Sequence, residues 1–185
     1  MDQTIEIARD EQVELCKKGD HNAYFCIYER YAKPMLNSSM RVLNNIADAE
    51  DMVQEAFIDA FNSLESFTYK SSFEAWLRRI VINKSISLLR KRKISWSDID
   101  LSEAPADASE ATDEDQFEFD VQRVKTAIKA LPENYRVIFN LFVIDELKQD
   151  EIASLLNISH SNVRTIYHRA KKKVLDLLNS NDHEQ

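Results

Sequence analysis

The chain of 185 residues is 44% hydrophobic and holds one glycine and three prolines, enough apolar mass for one ordinary domain or two small ones. A single glycine excludes phosphate-cradling loops, dinucleotide fingerprints and hairpin-rich sheets, which need glycine where φ is positive or a ligand meets the backbone closely. The formal net charge of -8 argues against a nucleic-acid ligand, but it is uneven: residues 1–97 carry 14 acidic and 14 basic side chains, 98–120 carry 10 acidic and none basic, and 121–185 carry 8 acidic and 10 basic.

From the N-terminus, Met1 to Asp10 is charged and has no apolar run, so no secretory leader is expected. Cys16 and Cys26 lack the spacing of a disulfide framework or a zinc site; they read as ordinary core or surface thiols of a cytoplasmic protein. Apolar residues at three- and four-residue spacing predict helices over about Glu11 to Tyr31, Pro34 to Asn44, Ala47 to Leu64 and Ser72 to Lys91. Asp48 is the expected cap of the third, and Ser71 or Ser72 of the fourth.

The third helix is loaded with carboxylates, Asp48, Glu50, Asp51, Glu55 and Asp59, around Gln54, opposite an apolar stripe of Met52, Val53, Ala56, Phe57 and Ala60. It is no nucleic-acid surface. Its polar face reads either as solvated or as the docking face of a basic protein. The fourth helix is opposite in sign. At 100° per residue, Trp76, Arg79, Asn83, Ser87 and Arg90 share one stripe between two apolar ones, as expected of a helix gripped on two sides. Together with Phe67, Tyr69 and Lys70 in the preceding loop, and the basic run Arg90 to Lys93, that stripe has the aromatic and guanidinium groups that stack on unpaired bases.

Between Ile94 and Phe119 the composition turns to Ser, Ala, Asp and Glu around Pro105, and helical periodicity is lost. The segment reads as an acidic flexible linker. Its roughly 24 residues span about 80 Å when fully extended but about 27 Å as a coil. Helices are predicted beyond it over about Val121 to Leu131, Pro132 to Ile144, Gln149 to Leu156 and Ser161 to Leu178, with Pro132 at a first helical position. The longest apolar stretch, Tyr135 to Ile144, is too short to span a membrane.

Gln149 to Val174 reads as a helix-turn-helix. Ala153 is small where the helices cross, and Asn157 tolerates the left-handed turn. Val163, Tyr167, Ala170, Val174 and Leu177 form the expected inward stripe of the second helix, with Ile166 at its border. Ser161, Thr165, His168 and Lys172, flanked by Arg164 and Arg169, lie opposite and offer hydroxyl, guanidinium and ammonium groups to bases and phosphates. The four histidines show no metal spacing and no nucleophile is paired with a base. A non-enzymatic chain with no cofactor and no metal is expected.

Three runs in this order, DAEDMVQEAF (Asp48 to Phe57), SSFEAWLRRIVIN (Ser71 to Asn83) and ALPENYRVIFNLFVIDELKQDEIASLLNISHSNVRTIYHRAKKKV (Ala130 to Val174), resemble the extracytoplasmic function sigma factors of bacterial RNA polymerase. The resemblance implies an all-α chain of two small helical domains: a region 2-like domain over 1–93, the linker over 94–119 and a region 4-like helix-turn-helix domain over 120–185. It assigns Asp48, Glu50, Asp51, Gln54 and Glu55 to docking on a clamp coiled coil of core polymerase. It assigns Phe67, Tyr69, Lys70, Trp76, Arg79, Asn83 and Arg90 to the melted minus 10 element. Ser161, Asn162, Arg164, Thr165, His168, Arg169 and Lys172 fall to the minus 35 element. Asn157 and Ser161 stand where the family often has glycine, and Ile166 where it often has a basic residue. An anti-sigma factor is a further partner in many members. The competing reading is an autonomous dimeric helix-turn-helix regulator, which binds a palindromic duplex without polymerase.

Overall fold

The computed structural model describes residues 9–92 and 121–180; these are helical, with no strand among them, and fall into two compact units on either side of the 93–94 junction. The linker assigned to 94–119 lies outside the described residues, apart from which the all-α reading holds.

The first unit runs α1 (Glu11–Lys17), α2 (His21–Leu43), α3 (Ile46–Asn62), a 3-10 turn (Leu64–Ser66) and α4 (Phe73–Lys91). The helix expected over Glu11 to Tyr31 is interrupted. Gly19 takes φ +84°, a conformation that costs glycine little, and Asp20 then caps α2 by accepting from the backbone N–H of Asn22 and Ala23. Pro34, expected to open a new helix, instead lies inside α2. The missing donor and ring clash cost about 3 kcal/mol; burial of Ile27, Met35, Val42 and Leu43 on either side offsets it. Asn45, not Asp48, caps α3: its side chain accepts from the Asp48 backbone N–H at 3.1 Å. Ser72 caps α4, as one of the two expected serines.

Helix α4 packs against both α2 and α3, which is why Leu77, Val81, Ile82, Ile86 and Leu89 are all buried although they cover more than one face. Where α2 and α4 cross, the small buried Ser39 and Ser85 join hydroxyls at 2.9 Å, and Ser85 also donates to the Val81 carbonyl at 2.8 Å. Both polar groups are thereby satisfied in the core. Cys16 is buried, which pushes its thiol up to about 11, while Cys26 is exposed; neither forms a disulfide.

The second unit runs α5 (Val121–Lys129), α6 (Glu133–Val143), α7 (Gln149–Leu156) and α8 (His160–Ser180). Pro132 stands one residue earlier than expected, at the cap of α6. Helix α8 packs against each of the other three, and Arg123 of α5 donates to the Leu178 carbonyl near its end at 2.9 Å. No described helix is long and apolar enough to cross a membrane.

Candidate nucleic-acid interface

On α4, Arg79, Asn83, Ser87 and Arg90 are exposed and Trp76 is half-buried, so the stripe expected to face solvent does so. Glu74 pairs with Arg78 in the first turn, clear of that stripe. The loop before α4 departs from expectation at Phe67. Its ring is 3% exposed and sits among Tyr69 (centroids 4.6 Å apart), Trp76 (5.2 Å) and Phe73 (5.6 Å). Phe67 is the floor under the loop rather than a stacking surface, because an aromatic flanked by three others gains more from burial than from facing water. What remains open above that floor is the half-buried Trp76 and Tyr69, with exposed Thr68 and Lys70. Tyr69 has φ +59°, unusual for an aromatic residue, and its hydroxyl donates to Glu14 Oε1 at 2.7 Å.

The basic run at the end of α4 is partly committed inside the unit. Arg92 makes a two-pronged pair with Asp48 at 2.7 and 2.6 Å, and this bond, ahead of simple charge attraction, holds the Asp48 carboxyl below its ordinary range. Asp48 is therefore a structural partner of α4 as well as a member of the acidic helix. Glu55 and Asp59 share Lys84, at 3.2 and 2.7 Å, and the Asp59 bond raises the lysine's pKa. Glu50, Asp51, Gln54 and Glu55 remain exposed. Ile58 follows Asp51 and Glu55 on the same stripe and is 60% exposed; Phe25 of α2 is 62% exposed. A face of carboxylates with a bare isoleucine on the same stripe suits a protein partner better than water alone.

In the second unit α7, the turn and α8 form the expected helix-turn-helix. Asn157 is left-handed at φ 55°, and Ile158 donates to the Ala153 carbonyl at 3.1 Å across the turn. Ser159 starts α8 by accepting from the Asn162 backbone N–H at 3.1 Å, and its hydroxyl bonds that of Ser161 at 2.9 Å. The inward stripe differs from the expected one. Val163, Ile166, Ala170, Val174 and Leu178 are buried, whereas Tyr167 and Leu177 are half-buried. Ile166 is 0% exposed and cannot touch a base. The arc is wide because α8 is gripped by three helices, a condition no spacing within α8 reveals. Tyr167 closes the edge of this core against Phe142, with centroids 4.5 Å apart.

The opposite face of α8 exposes Ser161, Arg164, His168 and Lys172, with Asn162, Thr165 and Arg169 half-buried at its margins. Lys171 and Lys173 are exposed as well. The run of three lysines, Lys171 to Lys173, is the sequence signal for these two. His160 lies 3.7 Å from Asp150, bridging the two helices of the motif. The net result is two cationic, solvent-facing helical stripes, one on each unit.

Comparison with known proteins matches the Sigma-70 region 2 family over residues 27–94 and the Sigma-70, region 4 family over 122–174. Over 178 residues the chain is 30% identical to the ECF RNA polymerase sigma factor SigW of Bacillus subtilis (strain 168), covering 91% of this chain and 95% of that protein. It is 31% identical over 172 residues to the ECF RNA polymerase sigma-E factor of Escherichia coli (strain K12), covering 88% and 90%. Among solved structures, the fold is like that of the sigma factor RpoE in complex with the anti-sigma factor NepR from Bartonella quintana. The TM-score is 0.53 at 21% identity, covering 84% of this chain and 96% of that one.

Proposed function

Since the chain belongs to the extracytoplasmic function sigma factors, the promoter-specificity subunits that bind core RNA polymerase and direct transcription initiation, we propose that its two units divide that task. The unit of residues 1–93 docks on the polymerase clamp through Glu50, Asp51, Gln54 and Glu55, with Asp48 tied to Arg92 at their edge, and holds unpaired minus 10 bases on Trp76, Tyr69, Lys70, Arg79, Asn83 and Arg90. Phe67 supports that site from below. The unit of residues 120–185 sets α8 in the major groove of the minus 35 element, with Arg164, His168 and Lys172 as principal contacts and Ser161, Asn162, Thr165 and Arg169 beside them. Residues 94–119 tether the two. The chain is not itself a catalyst, and it works in the cytoplasm alongside the polymerase.

The observation that carries this reading is the pair of cationic stripes, Arg79, Asn83 and Arg90 on α4 and Arg164, His168 and Lys172 on α8, each exposed on a separate compact unit. A single stripe would serve an autonomous regulator; two in separate units, one of them beside an aromatic loop, suit a duplex contact and a single-strand contact made together. An anti-sigma factor belongs among the proposed partners because the RpoE chain of similar fold is bound to one.

Mixing the purified chain with sigma-free core polymerase and mapping transcription starts genome-wide is expected to reveal a set of new starts sharing minus 10 and minus 35 elements. Absence of any recruited start rejects the proposal. Within α8, Arg164→Ala is expected to weaken binding to the minus 35 duplex by about tenfold, as loss of one base contact does. Lys172→Ala should lower affinity evenly across sequences and reduce the salt slope by about 1, as loss of one phosphate contact does. Binding isotherms across a salt series separate the two effects.

A further inference from the structure

The loop ahead of α4 is held from a direction that α4 itself does not supply. Glu14 and Lys17, one turn apart on α1, reach it across 55 and 50 positions of sequence: Glu14 Oε1 accepts from the Tyr69 hydroxyl at 2.7 Å, and Lys17 Nζ donates to the Phe67 carbonyl at 3.0 Å. The Lys17 ammonium also lies 3.6 Å from Glu14 Oε1, 5.1 Å from the Tyr69 ring centroid and 5.8 Å from that of Phe67. Arg9, just before α1, is a second cation at the Tyr69 ring, 5.9 Å from its centroid. The loop is thus clasped by one carboxylate and two cations.

The clasp is itself anchored. Val13 and Cys16 bury the inner face of α1. Asp10, which caps α1 by accepting from Gln12 at 3.0 Å, also accepts from Arg30 at 3.0 Å and from the Tyr31 hydroxyl at 3.3 Å, both on α2. Tyr24 of α2 donates to the Cys16 carbonyl at 2.9 Å. Helix α1 has seven residues, far too short to persist alone, so these ties to α2 fix where its outer face points. That face then decides the loop. Tyr69 occupies a left-handed backbone conformation that an aromatic residue adopts only when its surroundings over-determine it. The hydroxyl bond to Glu14 and the carbonyl bond to Lys17 on the second residue before it supply that determination.

We propose that Glu14 and Lys17 are positioning residues for promoter reading: they hold Tyr69 and the Phe67 carbonyl so that the 67–72 loop keeps the shape that discriminates one unpaired minus 10 base from another. The inference rests on the reading of that loop as the one that receives unpaired bases. It assigns to α1 a part in base selection without any contact to DNA. The Glu14 carboxyl is held below its ordinary range, chiefly by the Tyr69 hydroxyl, in keeping with an acceptor that stays ionised while the loop is in use.

The test uses holoenzyme, full chain on core polymerase, and the promoter identified by start mapping, with each minus 10 and minus 35 base pair replaced in turn. E14A and K17M are each expected to reduce discrimination at one or two minus 10 positions by about fivefold, the size of one net hydrogen bond, with minus 35 discrimination and helical content unchanged. E14Q keeps most of the discrimination, because its amide oxygen still accepts from Tyr69. Should E14A fold poorly, Y69F, which removes only the donor hydroxyl, must give the same loss. Undiminished minus 10 discrimination in both α1 variants overturns the proposal, as does an equal loss at minus 35 positions or an E14Q as impaired as E14A. K70A and W76A tell this failure from failure of the loop's own role: if they too leave every minus 10 position unaffected, the loop does not receive bases at all; if they alter discrimination while E14A and K17M do not, only the clasp is wrong.

Discussion

Trp76→Ala is expected to slow promoter opening by about ten- to a hundredfold while leaving closed-complex binding within about twofold. Stacking of one base on an aromatic ring contributes on the order of 1 to 3 kcal/mol, and only strands that have already separated can collect it. Trp76 is the aromatic best placed for this, half-buried on Phe67 and Phe73 with centroids 5.2 and 5.6 Å away, at the head of the stripe that continues through Arg79 and Asn83. The same packing means that truncation also loosens the loop's floor, so Trp76→Phe is the informative companion: it keeps an apolar platform and should recover much of the rate. Permanganate reactivity of unpaired thymines reports opening, and gel shift at low temperature reports the closed complex. Equal loss in both steps would remove the division of labour between the units.

The second large effect falls on a residue that touches no DNA. Ile166→Ala is expected to destabilise the second unit by about 2 to 5 kcal/mol, the usual range for truncating a fully buried isoleucine, and to abolish minus 35 binding at growth temperature through unfolding. Ile166→Val should cost only about 1 kcal/mol and leave sequence preference intact. Were Ile166 instead a reader of a thymine methyl, the alanine variant would keep its stability and lose preference at one A·T pair. Denaturant melts of the full chain, followed by binding to a minus 35 duplex well below the melting range, distinguish these results.

Ile166 also illustrates where local reasoning stops. Period-3.6 patterning gives most of the helices and the helix-turn-helix, since these depend on neighbours three and four residues away, and the change of composition between them marks off two helical units. It also anticipates the left-handed Asn157 and the Ser72 cap, both local conformational matters. Whether a border residue is buried depends on how many helices surround it, and α8 meets three. For the same reason Phe67 reads as an exposed aromatic until the rings of Tyr69, Phe73 and Trp76 close over it, and Asp48 reads as a helix cap until Arg92, 44 positions on, takes its carboxylate. Gly19 breaks a helix that apolar spacing runs straight through, and Pro34 fails to break one, because long-range burial outweighs a local preference of about 3 kcal/mol. Glu14 and Lys17 carry no local sign of their role; their partners lie 55 and 50 residues away.

Those sequence distances bear on how the first unit assembles. Helices α2 and α3 are joined by only two residues, Asn44 with φ 51° and the cap Asn45, so the hairpin they form closes almost no loop and requires little chain entropy to nucleate. The ties from α1 to the 67–72 loop close a ring of more than 50 residues and depend on α2 being already in place to hold α1. Amide exchange should therefore protect the α2–α3 hairpin most and residues 67–72 least, with exchange in the loop quickened further by E14A. The loop proposed to select bases is, on this account, the last part of the unit to be ordered and the first to let go, so that discrimination at minus 10 is expected to fade with warming well before the helices beneath it melt.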